Sequence, residues 1–252
     1  MMTVTTIVIP TYNEVENLPL IIRELLKLEV DRLRILVVDD NSPDGTGKVA
    51  DEFAIQFPRT VSVLHRAEKA GLGAAYLAGF KKALSMGAEN IIQMDCDFSH
   101  QPKYIPQMVA AANESDLIIG SRYVKGSSVD DTWGVFRKLL SWFGNAVYVP
   151  TILNIPIHDA TGGFRLWRRQ TLIGLDLDRI ASNGYVFQVE TTYIAYRLGY
   201  KITEMPIHFP DRTRGQSKMD LRIQLEAAMR VWQIMKAHGD LTPQMRRTQA
   251  YS

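Results

Sequence analysis

The sequence predicts an α/β fold in which helices flank a mostly parallel sheet, and three observations support this prediction. From residue 4 to residue 120, short apolar runs rich in β-branched residues alternate with segments of helical periodicity. Such alternation is typical of parallel strands joined by helices. Polar clusters follow several strands, and no linker or low-complexity tract interrupts the chain. We therefore predict one domain over residues 1–241 and a polar, frayed C-terminal tail over residues 242–252.

In the first half, each predicted element has a recognisable signal. Pro10 ends the first strand, and Leu18, Ile21 and Leu25 recur at the spacing of a helix face. We predict, in chain order, the strands Val4–Ile9, Arg34–Val38, Val61–His65, Asn90–Met94 and Asp116–Gly120, and between them the helices Asn17–Leu28, Thr46–Gln56, Ala70–Met86 and Tyr104–Ala112.

The second half is less regular. Gly134–Leu153 mixes aromatic residues with Arg137 and Lys138, which fits either a buried helix or a helix in a membrane interface. Tyr185–Arg197 is predicted as a helix beneath the sheet. Lys201–Phe209 is predicted as a strand near a sheet edge, because proline interrupts strand pairing.

A last helix is predicted near the C-terminus, over residues 221–238. Its apolar stripe is expected to pack on the domain, with a membrane surface or a partner helix as the alternatives. The residues assigned to that stripe are Leu221, Leu225, Ala228, Trp232 and Met235.

Composition narrows the possible functions. The chain has 252 residues, with 29 Lys and Arg against 27 Asp and Glu, so the formal net charge is only +2. Such a charge gives nucleic-acid binding no global support. The single cysteine, Cys96, excludes an internal disulfide and is consistent with a reducing compartment.

The most informative stretch runs from Gln93 to Pro102, where a buried strand leads into Asp95 and Asp97. Residues two apart in an extended chain face the same way, so both carboxylates are expected to point together. Paired carboxylates suit Mg²⁺ or Mn²⁺, which also bind substrate phosphates. A solvated turn after the strand is the alternative interpretation of the three-residue pattern.

Two further polar clusters follow predicted strands, at Tyr12–Glu14 and at Asp39-Asp40. Because ligands bind beyond the carboxyl ends of parallel strands, we expect all three clusters to form one site. Asp40 and Glu14 are suited to ribose hydroxyls or base N–H groups, and Tyr12 to stacking on a base. The glycine motifs of dinucleotide-binding folds and P-loops do not occur in their required places.

At this point the sequence resembles a known family, the inverting GT-A glycosyltransferases of family 2. Further along the chain the resemblance narrows to the dolichol-phosphate (polyprenyl-phosphate) mannose synthases, and it covers about Val4 to Leu241. The motifs that carry it are Pro10–Glu14, Asp39–Thr46, Asp95–Lys103, Gly120–Tyr123, Thr161–Arg165, Gly184–Gln188 and Asp211–Lys218.

The resemblance implies roles for individual residues. The nucleoside would be lined by Pro10, Tyr12, Glu14, Val38 and Asp40. The diphosphate and the metal would be served by Asp95, Cys96 and Asp97, and the donor and phosphate groups would be contacted by Arg122, Arg212 and Lys218. Because guanidinium groups suit phosphate oxygens, Arg137 is added to the phosphate-binding residues. The candidate catalytic residues are Asp97, Arg122 and Arg137, and the candidate metal ligands are Asp95 and Asp97.

The implied reaction is the metal-dependent transfer of mannose from GDP-mannose to a polyprenyl (dolichyl) phosphate with inversion of configuration. The acceptor phosphate is already largely ionised, with a second pKa near ~6, so no general base is needed. Two alternatives stay open: a polyprenyl-phosphate glucosyltransferase that uses UDP-glucose, and a non-catalytic subunit that binds a nucleotide sugar.

The implied acceptor is a lipid, although neither a signal peptide nor a membrane span is predicted. We therefore expect a cytoplasmic protein bound peripherally at the cytoplasmic face of a membrane, either by weak binding to the surface or through a membrane-protein partner. No nucleic-acid partner is expected.

Overall fold

The computed structural model describes residues 3–130, 132–184, 186–210, 221–249 and 251, with the backbone alone at residues 137 and 221–227. A seven-stranded sheet with the order β3-β2-β1-β4-β7-β5-β8 forms its centre, and a two-stranded sheet pairs β6 with β9. The strands are β1 Thr5–Thr11, β2 Leu33–Asp39, β3 Val61–His65, β4 Asn90–Gln93, β5 Leu117–Ser121, β6 Ser128–Val129, β7 Arg165–Arg168, β8 Ile202–Pro206 and β9 His208–Phe209.

Helices cover both faces of the sheet, which confirms the predicted α/β fold. A π-helix over Phe143–Tyr148 lies between two of them, α5 and α6. The α-helices of the described residues are α1 Leu18–Leu26, α2 Thr46–Gln56, α3 Leu72–Ser85, α4 Ile105–Ala111, α5 Val135–Trp142, α6 Val149–Leu153, α7 Arg169–Leu175, α8 Val186–Arg197 and α9 Leu221–His238.

The inner positions of β1 and β2 are apolar because both faces of these strands are buried. In β1, Ile7 and Ile9 contribute to one hydrophobic cluster, whereas Val8 contributes to the other. The first cluster lies beneath α1, α2 and α4, and the second lies beneath α3 and the C-terminal helices. Continuous apolar runs are typical of parallel strands buried on both sides.

Strand β7 was not predicted, although it lies in the middle of the sheet. It pairs antiparallel with both β4 and β5. Its sequence, Arg165-Leu166-Trp167-Arg168, begins and ends with arginine, so it lacks the apolar run that marks the other central strands. The edge position predicted for the strand after Lys201 is confirmed, since β8 is the last strand of the sheet.

The buried face of α9 differs from the predicted stripe. Val231, Ile234 and His238 are buried, whereas Trp232 is 51% exposed. The predicted stripe is therefore right at Met235, which packs partly buried against the core, and wrong at Trp232, whereas the side chains of Leu221 and Leu225 lie outside the described residues. The indole of Trp232 donates instead to the hydroxyl of Tyr148 at 3.1 Å.

The C-terminal segment is not frayed where the structure describes it, so that expectation was also wrong. The guanidinium of Arg246 donates to the carbonyl oxygens of Leu198 and Gly199. Arg247 forms ion pairs with Asp176 and Asp178. Long polar side chains thus attach this segment to the domain by bonding to backbone carbonyls and carboxylates. The polarity of the sequence alone does not predict these contacts.

Candidate active site

Three polar clusters meet at one edge of the sheet, as predicted. Strand β1 is parallel to β2 on one side and to β4 on the other, with Thr11 level with Asp39 and Val8 level with Gln93. The segments that follow these strands carry Tyr12–Glu14, Asp40, and the Asp95/Asp97 pair. The topology therefore brings the nucleoside and diphosphate candidates to the same edge.

Asp95 and Asp97 lie in a loop rather than in an extended strand, because β4 ends at Gln93. The loop itself holds the second carboxylate: Asp97 Oδ1 accepts hydrogen bonds from the backbone N–H of Ser99 at 3.1 Å and from its hydroxyl at 2.6 Å. The side chain of Asp95 is 28% exposed. The expectation that an extended strand orients the two carboxylates was therefore wrong, because a turn holds Asp97, and their role as metal ligands stays a prediction.

Asp95 is fixed by two residues from outside the pair. The hydroxyl of Tyr76 donates to Asp95 Oδ1 at 2.6 Å, and the Asp95 backbone N–H donates to His100 Nδ1 at 2.9 Å. Burial, reinforced by the charge of Asp95, raises the pKa of Tyr76 well above its ordinary value, so the hydroxyl stays protonated as a donor. His100 stacks on Phe164 with 5.1 Å between ring centroids, so it helps to shape the loop.

Cys96 lies between Asp95 and Asp97 in the sequence, and its side chain is buried. Burial first, and the charges of Glu14, Asp97 and Asp95 in addition, raise the pKa of its thiol well above the ordinary value. The side chain therefore stays a neutral thiol, and chemistry through a thiolate is not supported.

The carboxylates of the Asp39–Thr46 motif have different functions. Asp39 accepts hydrogen bonds from the backbone and hydroxyl of Ser42, and Asp44 accepts two from Thr46. Asp44 also accepts one from the backbone of Val15, which joins this loop to the loop after β1. Of the three carboxylates in the motif, Asp39 and Asp44 therefore build the loop, whereas Asp40 pairs with Arg66 outside it.

Asp40 forms an ion pair with Arg66 at 2.6 Å, and Lys69 Nζ lies 3.7 Å from the ring centroid of Tyr12. Burial raises the pKa of Asp40 despite the opposing effect of Arg66. Neither cation was predicted as part of the site. The available signal was their position, because both directly follow β3, whose carboxyl end lies at the same sheet edge.

Arg122 is paired with a buried carboxylate. Its guanidinium donates to Asp159 Oδ2 through Nε at 2.8 Å and to Oδ1 through Nη2 at 2.6 Å, and Nη2 also donates to Thr161 at 2.8 Å. The Thr161 hydroxyl in turn donates to Asn145 of the π-helix. Arg122 is thus tied into the Thr161 motif, and its predicted contact with a phosphate stays a prediction.

Arg165, which was noted only as part of a motif, is fully buried. Its guanidinium donates to the carbonyl oxygens of Ala160, Gly162 and Gln188. Burial lowers the pKa of Arg165 to about 9, so it is still charged at neutral pH. It fixes the Asp159–Gly162 loop, and with it the partner of Arg122, against α8.

Several predicted residues do not reach the site with their side chains or lie outside the described part. Val38 is fully buried in the core, so only its backbone can face a ligand. Glu190, expected to form a structural ion pair, is buried and bonded to His238 at 2.8 Å. Pro10 lies in β1, next to Val38 in the register of β2. The side chain of Arg137 and the whole of Arg212 and Lys218 are outside the described residues.

The donor set fits a divalent cation that shares its ligands with a substrate. Among the described residues, no group of three or more His, Cys, Asp or Glu side chains is arranged to enclose a metal ion. Mg²⁺ commonly binds through only one or two carboxylates and completes its shell with phosphates and water. The Asp95/Asp97 pair supplies that number of hard oxygen ligands.

These features fit a class: an α/β protein with a candidate nucleotide-sugar site at the carboxyl ends of β1, β2 and β4. The family model described as glycosyl transferase family 2 matches residues 6–175. The chain belongs to this family and is a glycosyltransferase, which confirms the resemblance predicted from its motifs.

Two curated relatives resemble most of the chain. The undecaprenyl-phosphate mannosyltransferase of Micrococcus luteus is 46% identical over 224 residues, which is 89% of this chain and 90% of the relative. The polyprenol monophosphomannose synthase of Mycolicibacterium smegmatis is 46% identical over 216 residues, which is 85% of this chain and 80% of the relative.

Solved structures share the fold at lower identity. The mannosyl-3-phosphoglycerate synthase of Rubrobacter xylanophilus has a TM-score of 0.63 at 18% identity, covering 95% of this chain and 76% of that one. The glucosyl-3-phosphoglycerate synthase of Mycobacterium tuberculosis, solved with Mn²⁺, UDP-glucose and phosphoglyceric acid, has a TM-score of 0.61 at 17% identity, covering 94% and 80%. These likenesses support the GT-A fold.

Proposed function

We propose that this protein transfers mannose from GDP-mannose to a polyprenyl phosphate with inversion at the anomeric carbon. The observation that carries the proposal is the 46% identity to the undecaprenyl-phosphate mannosyltransferase, which spans 89% of the chain. The site geometry supports it, because the segments after β1, β2, β4 and β5, which carry the nucleoside and diphosphate candidates and Arg122, leave the sheet at one edge.

The acceptor phosphate is its own nucleophile. A phosphate monoester is mostly ionised at neutral pH, with a second pKa near ~6, so its oxygen attacks without a general base. The C–O bond to the sugar forms on one face while the bond to the nucleoside diphosphate breaks on the other. The protein then acts by positioning both substrates and by stabilising charge. Glu14 and Asp40 would orient the nucleoside, with Tyr12 and Lys69 beside the base.

A divalent cation, Mg²⁺ or Mn²⁺, would be held by Asp95 and Asp97. When bound, such an ion neutralises the charge that develops on a departing diphosphate. The chain's own contribution is to hold the two carboxylates in place through Ser99, His100 and Tyr76. Arg122 and Arg137 would face the anionic groups from the acceptor side, with Arg212 and Lys218.

An exposed apolar surface lies next to this site. We call it the acceptor-side patch. In the part of the chain that the structure describes, it comprises Val135, Phe136, Leu139, Leu140, Trp142 and Phe143, together with Met229 and Trp232 of α9. The Tyr123 hydroxyl lies 2.6 Å from that of Ser141 in α5, so the patch is joined to the segment that carries Arg122.

The patch favours a peripheral membrane protein whose acceptor is presented from the bilayer. No helix among the described residues has the length and apolarity to cross a membrane. Aromatic and aliphatic side chains on a helix with an adjacent cation, Lys138, suit the headgroup boundary instead. Of the two alternatives for Gly134–Leu153, burial holds for Val149 and Leu153 of α6, whereas the exposed apolar residues of α5 support the proposal of a membrane interface.

The deciding experiment measures sugar transfer by the full chain to undecaprenyl phosphate in detergent with Mg²⁺ or Mn²⁺. Radiolabelled GDP-mannose, UDP-glucose and GDP-glucose are supplied in parallel. We expect GDP-mannose to give labelled lipid with the highest kcat/KM. Faster transfer from UDP-glucose would replace the proposal with a glucosyltransferase, and nucleotide-sugar binding without any transfer would replace it with a non-catalytic subunit.

A further inference from the structure

Tyr76 contacts Asp95, a candidate residue of the diphosphate side of the site, from the protein interior. It lies in α3, is fully buried, and its hydroxyl donates to Asp95 Oδ1 at 2.6 Å. We propose that Tyr76 is a positioning residue that sets the orientation of the Asp95 carboxylate for metal binding. This inference rests on the proposed function, in which Asp95 is a ligand of the divalent cation.

The hydrogen bond divides the two oxygens of Asp95 between different tasks. Oδ1 is turned inward to Tyr76. Oδ2 lies 4.0 Å from His100 Nδ1, and that nitrogen already accepts the backbone N–H of Asp95. A nitrogen that accepts a hydrogen bond carries no proton, so the 4.0 Å contact is not an ion pair. Oδ2 is therefore the oxygen offered to a cation.

The ring of Tyr76 is itself held on both sides, which makes the hydroxyl a fixed donor. It stacks on Phe187 of α8 with 6.1 Å between centroids and an angle of 7°. On its own helix it stacks on Phe80 at 5.8 Å and 27°. Short O–H···O⁻ bonds are among the stronger hydrogen bonds of proteins. Partners of this kind orient ligating carboxylates, and their removal lowers metal affinity by about 10–100-fold.

A purely structural role is the competing explanation, since a buried hydroxyl needs an acceptor wherever it lies. Tyr200 provides a matched control for that explanation. Its hydroxyl donates to the carbonyl oxygen of Gln170 at 3.2 Å, and its ring belongs to the same hydrophobic cluster as Tyr76. Tyr200→Phe therefore removes a partly buried hydroxyl without touching Asp95.

The test measures Mn²⁺ binding by electron paramagnetic resonance of the free ion, with the full chain saturated with GDP. GDP binding without metal is measured by calorimetry, and Tm by thermal melting. We expect Tyr76→Phe to weaken Mn²⁺ binding about 10–100-fold, while metal-free GDP binding stays as in wild type. Tyr200→Phe should lower Tm to a similar extent and leave Mn²⁺ binding unchanged.

A second variant guards against misfolding of the first. Phe187→Leu keeps the hydroxyl but removes the ring that stacks on Tyr76, and a smaller loss of Mn²⁺ affinity is expected. If both variants bind Mn²⁺ as tightly as wild type, the positioning role is overturned while the proposed function stands. If wild type with GDP retains no more Mn²⁺ than GDP alone, the metal site of the proposed function fails together with this role.

Discussion

Arg122 and Asp159 form a bidentate pair in which the carboxylate is completely buried and the guanidinium side chain is only 12% exposed. The Asp159 carboxylate also accepts the backbone N–H of Arg122 at 2.9 Å. The pair thus fixes the backbone after β5 as well as the side chain. Arg122, which the sequence analysis predicts to contact a phosphate, therefore also stabilises the fold.

Replacing Arg122 should cost both activity and stability. Arg122→Ala leaves the charge of Asp159 buried without its guanidinium partner, and breaking such a pair costs about 3–5 kcal/mol of unfolding free energy. Arg122→Ala should therefore lower turnover and stability together. Chemical denaturation and kcat/KM for mannose transfer measure the two effects.

The double variant Arg122→Ala with Asp159→Asn separates them. Removing the buried charge should restore part of the unfolding free energy that Arg122→Ala loses, whereas transfer should stay impaired. Recovery of transfer in the double variant would mean that Arg122 serves the fold alone. Arg212→Ala is expected to impair turnover in the same way, and its residue lies outside the described part of the chain.

The sequence predicted the parallel core and the donor-side carboxylates because both leave local patterns. Apolar runs mark the strands, and Asp40, Asp95 and Asp97 directly follow them. Contacts between distant segments leave no such pattern. Tyr76 of α3 reaches the loop that carries Asp95, and Arg165 is a charged residue at a buried central position. The face of α9 was misjudged because helical spacing alone does not say which of two neighbouring stripes meets α8.

Transfer should require a divalent cation and the charge of Asp97. Asp97→Asn keeps an oxygen that can accept the hydrogen bonds of Ser99 but removes the negative charge, so the fold should be retained. We expect kcat/KM to fall at least about 100-fold, because a bound metal contributes several kcal/mol to charge stabilisation. Asp178→Asn, at an exposed carboxylate, is the matched control. Undiminished turnover in excess EDTA would refute the metal assignment.

The buried pair of Glu190 and His238 should make stability depend on pH. Burial by itself raises the pKa of Glu190, but hydrogen bonds from His238 and the Ser182 backbone outweigh it, so the pKa is lowered from 4.5. A lowered pKa stabilises the fold above the unfolded value and loses that contribution as the pH falls through the folded value. Glu190→Gln should therefore reduce the unfolding free energy most at pH 7.

The measurement is a urea titration of wild type and Glu190→Gln at several pH values. We expect a difference of about 1.5–3 kcal/mol at pH 7, the range for hydrogen bonds to charged groups. The difference should shrink as the pH falls below about 4.5, where the unfolded chain takes up the proton first, and disappear below the lowered pKa of the folded state. A difference that does not change between pH 7 and pH 3 would contradict the assignment of this ion pair.

The acceptor-side patch should bind membranes, and Trp142 is the residue to change. Trp142 is 47% exposed, and Leu139, one turn earlier on α5, is 58% exposed. Trp142→Glu places a charge where an apolar ring would enter the headgroup region. The apolar contribution of such a side chain is about 1.5–3 kcal/mol, so vesicle affinity should fall roughly 10–100-fold. Binding of GDP-mannose should be unaffected, because the change lies outside the nucleoside cluster.

Co-sedimentation with neutral and anionic liposomes, each with and without polyprenyl phosphate, measures this affinity. Ile55→Glu is the matched control, since Ile55 is 80% exposed but lies on α2, away from the patch. It should sediment and transfer sugar like wild type. The patch has no membrane role if wild type stays in the supernatant with every liposome and Trp142→Glu glycosylates membrane-embedded acceptor at the wild-type rate. That outcome is expected if the patch only covers the hydrophobic core, because the acceptor would then reach Arg122 without any contact between the patch and lipid.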